Sequence, residues 1–126
     1  MPPITSLKLI LTVPPNRANA RLHWVRAHQE RARYEAEVWK SILVAKPLLP
    51  KEPAEFTTWQ ADFFLVKLYD ADNLVSLLKW PIDTIVKAGI MKDDSPKHAW
   101  PKAFPTQTKC KKTETRLELT LEFKKL

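Results

Sequence analysis

Two aspartates, Asp70 and Asp72, stand two positions apart in the string Asp70-Ala71-Asp72-Asn73-Leu74, and a second acidic pair, Asp93-Asp94, follows twenty-one residues after Asp72. Carboxylates this close repel each other unless a cation lies between them. Oxygen donors of this kind suit Mg2+ or Mn2+. On an extended backbone, residues i and i+2 point to the same side, so the spacing predicts one shared pocket at a strand end. A helix between the two pairs would return the chain and bring Asp93 and Asp94 near Asp70 and Asp72. Lys79, seven residues after Asp72, would share a helix face with it two turns on. A lysine there can touch a phosphate or stabilise charge in a transition state. Asp83 lies toward the same face, with Pro81 altering the direction between. Each residue also has a plain structural use. Asp72 can serve as a helix N-cap, Asp70 as a strand-end turn residue, Asp93-Asp94 as a solvated turn before Ser95-Pro96, and Lys79 as surface.

The elements that must position these residues can be read from periodicity. Leu7 to Val13 reads as a strand, stopped by Pro14-Pro15-Asn16. Residues 24–45 read as a helix, with Ala27, Tyr34, Val38, Ile42 and Ala45 at three- and four-residue steps. Arg26/Glu30, Arg31/Glu35 and Arg33/Glu37 are opposite charges four apart that support it. Pro47, Pro50 and Pro53 forbid its continuation. Residues 56–69 contain a second strand, placed centrally because Phe63-Phe64-Leu65-Val66 is too apolar for a half-exposed edge. Asp72 then caps a second helix running to Ala88, whose apolar stripe is Leu74, Leu77, Leu78, Ile82, Ile85 and Val86. Pro81 must kink or interrupt it near Leu77 to Trp80. Gly89, the single glycine in the chain, fits a left-handed C-cap. Ile90-Met91 can form a short strand. Thr115 to Phe123 alternates Leu117, Leu119, Leu121 and Phe123 with polar residues, giving a strand with one dry and one wet face. The pattern is a small α/β (α+β) single domain over residues 1–126, with a mixed sheet and two main helices.

A chain of 126 residues with 44% apolar and 28% charged content is an ordinary globular protein with a modest core. One cysteine, Cys110, excludes an internal disulfide and suits a reducing compartment. The three histidines and Cys110 lack zinc-site spacing. No run is long enough to span a membrane, and no secretory signal stands at residues 1–13; together these favour the cytoplasm. The net charge of +7 is uneven. Residues 1–46 hold eight Lys/Arg against three Asp/Glu, residues 47–96 five against eight, and residues 97–126 eight against three. Basic flanks can hold a polyanion while the acidic middle holds cations against it. An unevenly charged, solvated surface is the other use of the same residues.

The string Asp70-Ala71-Asp72-Asn73-Leu74, followed by Lys79, Asp83, Lys87-Ala88-Gly89-Ile90 and Asp93-Asp94, resembles the RusA family of Holliday junction resolvases. The first strand, Pro14-Pro15-Asn16, the basic loop with His23-Trp24, the charged helix and the closing strand Arg116-Leu117-Glu118-Leu119-Thr120 are similar too. The likeness runs from the first strand to Phe123. It implies a two-fold dimer with Mg2+- or Mn2+-dependent endonuclease activity on four-way DNA junctions. By position, Asp70, Asp72 and Asp94 would be the essential metal-site carboxylates and Asp93 a lesser neighbour. The family's functional lysine stands one turn after the second aspartate, where this sequence has Ser76; Lys79, a turn later, is nearest to that role. The family's run of arginines before the first aspartate is replaced by Leu65-Val66-Lys67-Leu68-Tyr69. DNA contact would then rest on Arg17, Arg21, Arg26, Lys97, Lys109, Lys111 and Lys112, holding phosphates without reading sequence. Trp24 and Trp100 can stack on bases or pack in the core, and Trp39 and Trp80 can line a dimer interface or the core. The other functions compatible with the sequence are a structure-tolerant branched-DNA or flap nuclease and a non-catalytic DNA-binding module.

Overall fold

Alternating leucines make the C-terminal strand the centre of the molecule. In the computed structural model, which describes residues 6–15, 24–45, 47 and 55–124, β5 (Arg116–Lys124) lies between β1 (Ser6–Leu11) and β2 (Phe56–Leu65), antiparallel to both. The register aligns rows of apolar side chains across the three strands: Leu11, Leu117 and Phe63, then Leu9, Leu119 and Ala61. All six are buried. At about 1.5–3 kcal/mol for each large apolar side chain taken out of water, these rows account for much of the core.

The free edge of β2 is covered by two short parallel strands in succession. β3 (Ala99–Pro101) pairs with Thr57–Trp59, and β4 (Thr106–Lys109) pairs with Asp62–Leu65. β2 is central, as its apolar run predicts, but it is not dry on both faces. Phe63 and Leu65 face the core; Phe64 is half-buried on the other side and Val66, past the strand, is exposed. That second face is open and polar, carrying Lys8, Arg116, Glu118, Gln60 and Asp62.

The helices cover the dry face. α1 (Trp24–Ala45) buries Tyr34, Val38 and Ile42, and the Tyr34 hydroxyl donates to the Thr12 carbonyl at 2.8 Å. The second helix is capped two residues earlier than expected. Asp70, with φ −63° and ψ 155°, is the N-cap, and Asp72 sits in the first turn of α2 (Ala71–Ser76). The helix then breaks, and α3 (Lys79–Lys87) follows. Pro81 explains the break: its ring would collide with the carbonyl four residues back, on Leu77. The Leu77 N–H is accordingly shared between the Asn73 and Leu74 carbonyls, both at 3.3 Å, and Leu78 reaches Val75 at 3.1 Å. Within α3, Pro81 occupies the first turn, where its missing N–H leaves nothing unpaired.

α3 ends as the lone glycine predicts. Gly89 has φ +77°, its N–H donates to Val86 at 3.0 Å, and Ile90 donates to Ile85 at 3.3 Å, the double closure of a Schellman cap. The stripe Leu74, Leu77, Leu78, Ile82 and Ile85 is buried. Met91 forms an isolated bridge rather than a strand with Ile90. Together the elements form an α+β domain with a mixed five-stranded sheet. Among the described residues no helix is long and apolar enough to cross a membrane.

Candidate functional site

The aspartates are set by how β2 gives way to α2. The strand ends at Leu65, and four further residues lead to Asp70. The alternation that would put Asp70 and Asp72 on one side of a strand therefore does not apply, because Asp72 is already helical. Both are exposed, and neither carboxylate has an ion pair or hydrogen bond among the described residues. The approach to Asp70 is held from β4. Tyr69 N–H donates to Gln107 Oε1 at 3.0 Å, and Gln107 Nε2 donates to the Tyr69 carbonyl at 2.9 Å.

A cleft of about 390 Å³ opens between the α2–α3 junction and the edge of the sheet. Ser76, Lys79, Asp83 and Asp94 supply its polar lining, Trp59 and Pro101 part of its apolar wall. Asp94, Lys79 and Asp83 are therefore brought together, while Asp70 and Asp72 lie outside this lining. Asp93 serves the loop: the Asp94 backbone N–H donates to its Oδ1 at 2.8 Å. That bond, with smaller help from Ser95, holds the exposed Asp93 carboxyl below its ordinary range.

The expected shared face of Asp72 and Lys79 is lost because the helix breaks between them. Lys79 Nζ instead lies 3.3 Å from Asp83 Oδ2, which also accepts from Arg31 Nη2 at 2.9 Å. Arg31 Nε in turn meets Glu35 at 2.7 Å, and Glu35 meets Lys87 at 3.0 Å. This chain of charges bolts α1 to α3. Desolvation alone would raise the Glu35 carboxyl, but hydrogen bonds from Arg31 and Lys87 outweigh it and the net shift is downward.

An all-oxygen donor set matches a hard divalent cation in kind. In number and placement it does not: among the described residues, no group of three or more His, Cys, Asp or Glu side chains is close enough to hold a metal ion. The expected convergence of Asp70, Asp72, Asp93 and Asp94 round one pocket is therefore not observed. The cleft as it stands offers an exposed carboxylate at Asp94 beside a lysine partly neutralised by Asp83.

The basic residues divide. Arg17 and Arg21 lie outside the described residues, as does the Trp24 side chain. Arg26 is exposed in the first turn of α1 and Lys97 in the turn before β3. Lys109 and Lys111 line a notch with Arg116, and Lys112 begins the 3-10 turn that follows. Trp100 is exposed, not core, whereas Trp80 packs 6.1 Å from Tyr34 and Trp39 lies on the outer side of α1. Two positions, Arg116 and Gln107, carry contacts that spacing does not show, and Arg31 is readable only as the partner of Glu35, a pair that forms at 2.7 Å. Arg116 was visible only as one cation on the polar face of β5. Gln107 and Arg31 act through partners 38 and 52 residues away, which spacing cannot show. Compared with known proteins, the chain matches no family model and no curated protein.

Proposed function

We propose that the chain is a metal-dependent endodeoxyribonuclease that cuts four-way DNA junctions as a homodimer. The observation that carries the proposal is the placement of Lys79 and Asp94 on one cleft, walled by the helix pair that begins at Asp70. The Asp-x-Asp-Asn-Leu string and its resemblance to junction resolvases supply the chemistry. Mg2+ or Mn2+ would be taken up by Asp70, Asp72 and Asp94, with Asp93 beside them, and would supply an activated water and a stabilised leaving oxygen. This requires α2 to bring Asp70 and Asp72 onto Asp94 when metal and DNA bind. The two carboxylates are exposed and uncommitted, and the break at Leu77–Leu78 is a natural place for α2 to turn relative to α3.

Paired symmetric cuts suit a two-fold dimer. The outer side of α1 offers a surface for it: Ala32, Ala36, Trp39 and Leu43 form an exposed apolar stripe at helical spacing. The test is incubation of the purified protein with labelled four-way junction, duplex and flap DNA, with Mg2+ and with EDTA. Metal-dependent, paired cutting of the junction is expected. Absence of cleavage on every substrate would sink the enzyme, and equal cutting of plain duplex would remove the junction specificity. Cutting of flaps in preference to junctions would favour the flap-nuclease alternative.

A further inference from the structure

We propose that the notch where β4 turns into β5 is a phosphate-binding site that grips the backbone of a nucleic-acid strand, apart from the aspartate cleft. It has a volume of about 580 Å³ and shares no lining residue with that cleft. Lys109, Lys111 and Arg116 face it with a single carboxylate, that of Glu114, among its lining residues. Neither lysine has an ion pair among the described residues. Thr108 adds a hydroxyl.

The site is built rather than merely basic. Arg116 is fixed on three sides: Nε donates to Glu118 at 2.7 Å, Nη1 donates to the Glu114 carbonyl at 2.8 Å, and the guanidinium lies 3.9 Å over the Phe64 ring. Its Nη2 edge has no acceptor among the described residues. A planar cation held this way loses little further freedom on meeting a phosphate. The backbone is pinned as well. Cys110 N–H donates to the Leu65 carbonyl at 2.8 Å, and Glu114 N–H donates to Lys111 at 2.9 Å. The lysines therefore stand on a hydrogen-bonded frame at the end of the sheet. A phosphodiester strand matches two exposed lysines on the same notch as one rigid donor.

This inference rests on the nucleic-acid part of the proposed function and not on cleavage. Cys110 is the sole cysteine of the chain and lines the notch, half-buried, so it reports on occupancy. The experiment measures alkylation of the whole protein by iodoacetamide, read by intact mass, with a single-stranded oligonucleotide, a mononucleotide or inorganic phosphate added. Binding of the labelled oligonucleotide is followed in parallel by anisotropy across a salt series. A saturating oligonucleotide should slow alkylation at least about fivefold by closing access to the thiol. The double variant Lys109→Gln/Lys111→Gln should remove that protection and flatten the plot of log affinity against log salt by about 1.4, the release from two single-strand phosphate contacts. Oligonucleotide binding with Cys110 unprotected, or with the salt slope unchanged in the variant, would overturn the site while leaving DNA binding intact. Protection by the mononucleotide or phosphate but not by the oligonucleotide would also overturn it. A wild-type chain that binds no nucleic acid would overturn both this inference and the proposed function.

Discussion

Gln107 and Tyr69 hold each other by two reciprocal hydrogen bonds, 3.0 and 2.9 Å long, one residue before the N-cap Asp70. A side-chain amide here does what a neighbouring strand would do, extending the grip of β4 beyond the end of β2. Gln107→Ala should lower stability by about 1–2 kcal/mol, one bond of this kind being worth about 1 kcal/mol, in a urea titration. In a cleavage assay it should cost more than its stability loss explains, because the Tyr69 anchor from which α2 must turn toward Asp94 would be lost.

Asp72→Asn should abolish cleavage and leave junction affinity within about twofold, since the basic surface that supplies most of the binding energy is untouched. Gel shift in EDTA and cleavage in Mg2+ separate the two. Retained cleavage would remove Asp72 from the site.

Lys79 and Asp83 share an ion pair but should behave differently. Lys79→Ala should slow cleavage while changing stability by less than about 0.5 kcal/mol, because the lysine is 69% exposed. Asp83→Ala should destabilise by about 1–3 kcal/mol, because it leaves the half-buried Arg31 guanidinium short of a partner. Equal stability losses in thermal melts would contradict this.

The Glu35 carboxyl lies below its ordinary value of 4.5 in the folded chain. A depressed carboxyl stabilises fully above its unfolded value and loses that contribution as pH falls through the folded value. Glu35→Gln should therefore cost about 1–2 kcal/mol near neutrality, and the gap from the native chain should close as pH drops below about 4.5. A gap that is constant with pH would show that the pairing with Arg31 and Lys87 does not carry it.

Gly89→Ala isolates one backbone term. A Cβ at Gly89 meets nothing within 4 Å, so the cost of its φ of +77° stands alone. A loss of about 1 kcal/mol is expected, with no change in the slope of a denaturant titration.

Periodicity located the elements well because burial is a local demand. The stripe of Tyr34, Val38 and Ile42, the alternation of Leu117, Leu119 and Leu121, the disruption by Pro81 and the cap at Gly89 each answer to residues within one or two turns. β3 and β4 were not legible, since Ala99-Trp100-Pro101 and Thr106-Gln107-Thr108-Lys109 have no apolar alternation and pair only because β2 leaves an open edge there. The aspartates were legible as types but not as positions. Asp72 was displaced from cap to first turn by a start two residues earlier, and Lys79 was turned away from it by the break that Pro81 itself announces. The Arg31–Asp83 pair joins elements far apart in the chain, and only packing reveals it.

The place of β5 between β1 and β2 has a consequence for how the chain is made. During synthesis β1, α1 and β2 emerge first, yet β1 and β2 do not pair with each other. Until residues 116–124 leave the ribosome, both strands carry open edges and Leu9, Leu11, Ala61 and Phe63 lack the neighbour that closes over them. Unpaired apolar edges invite other chains. The nascent protein therefore depends on β5 arriving before a stranger does.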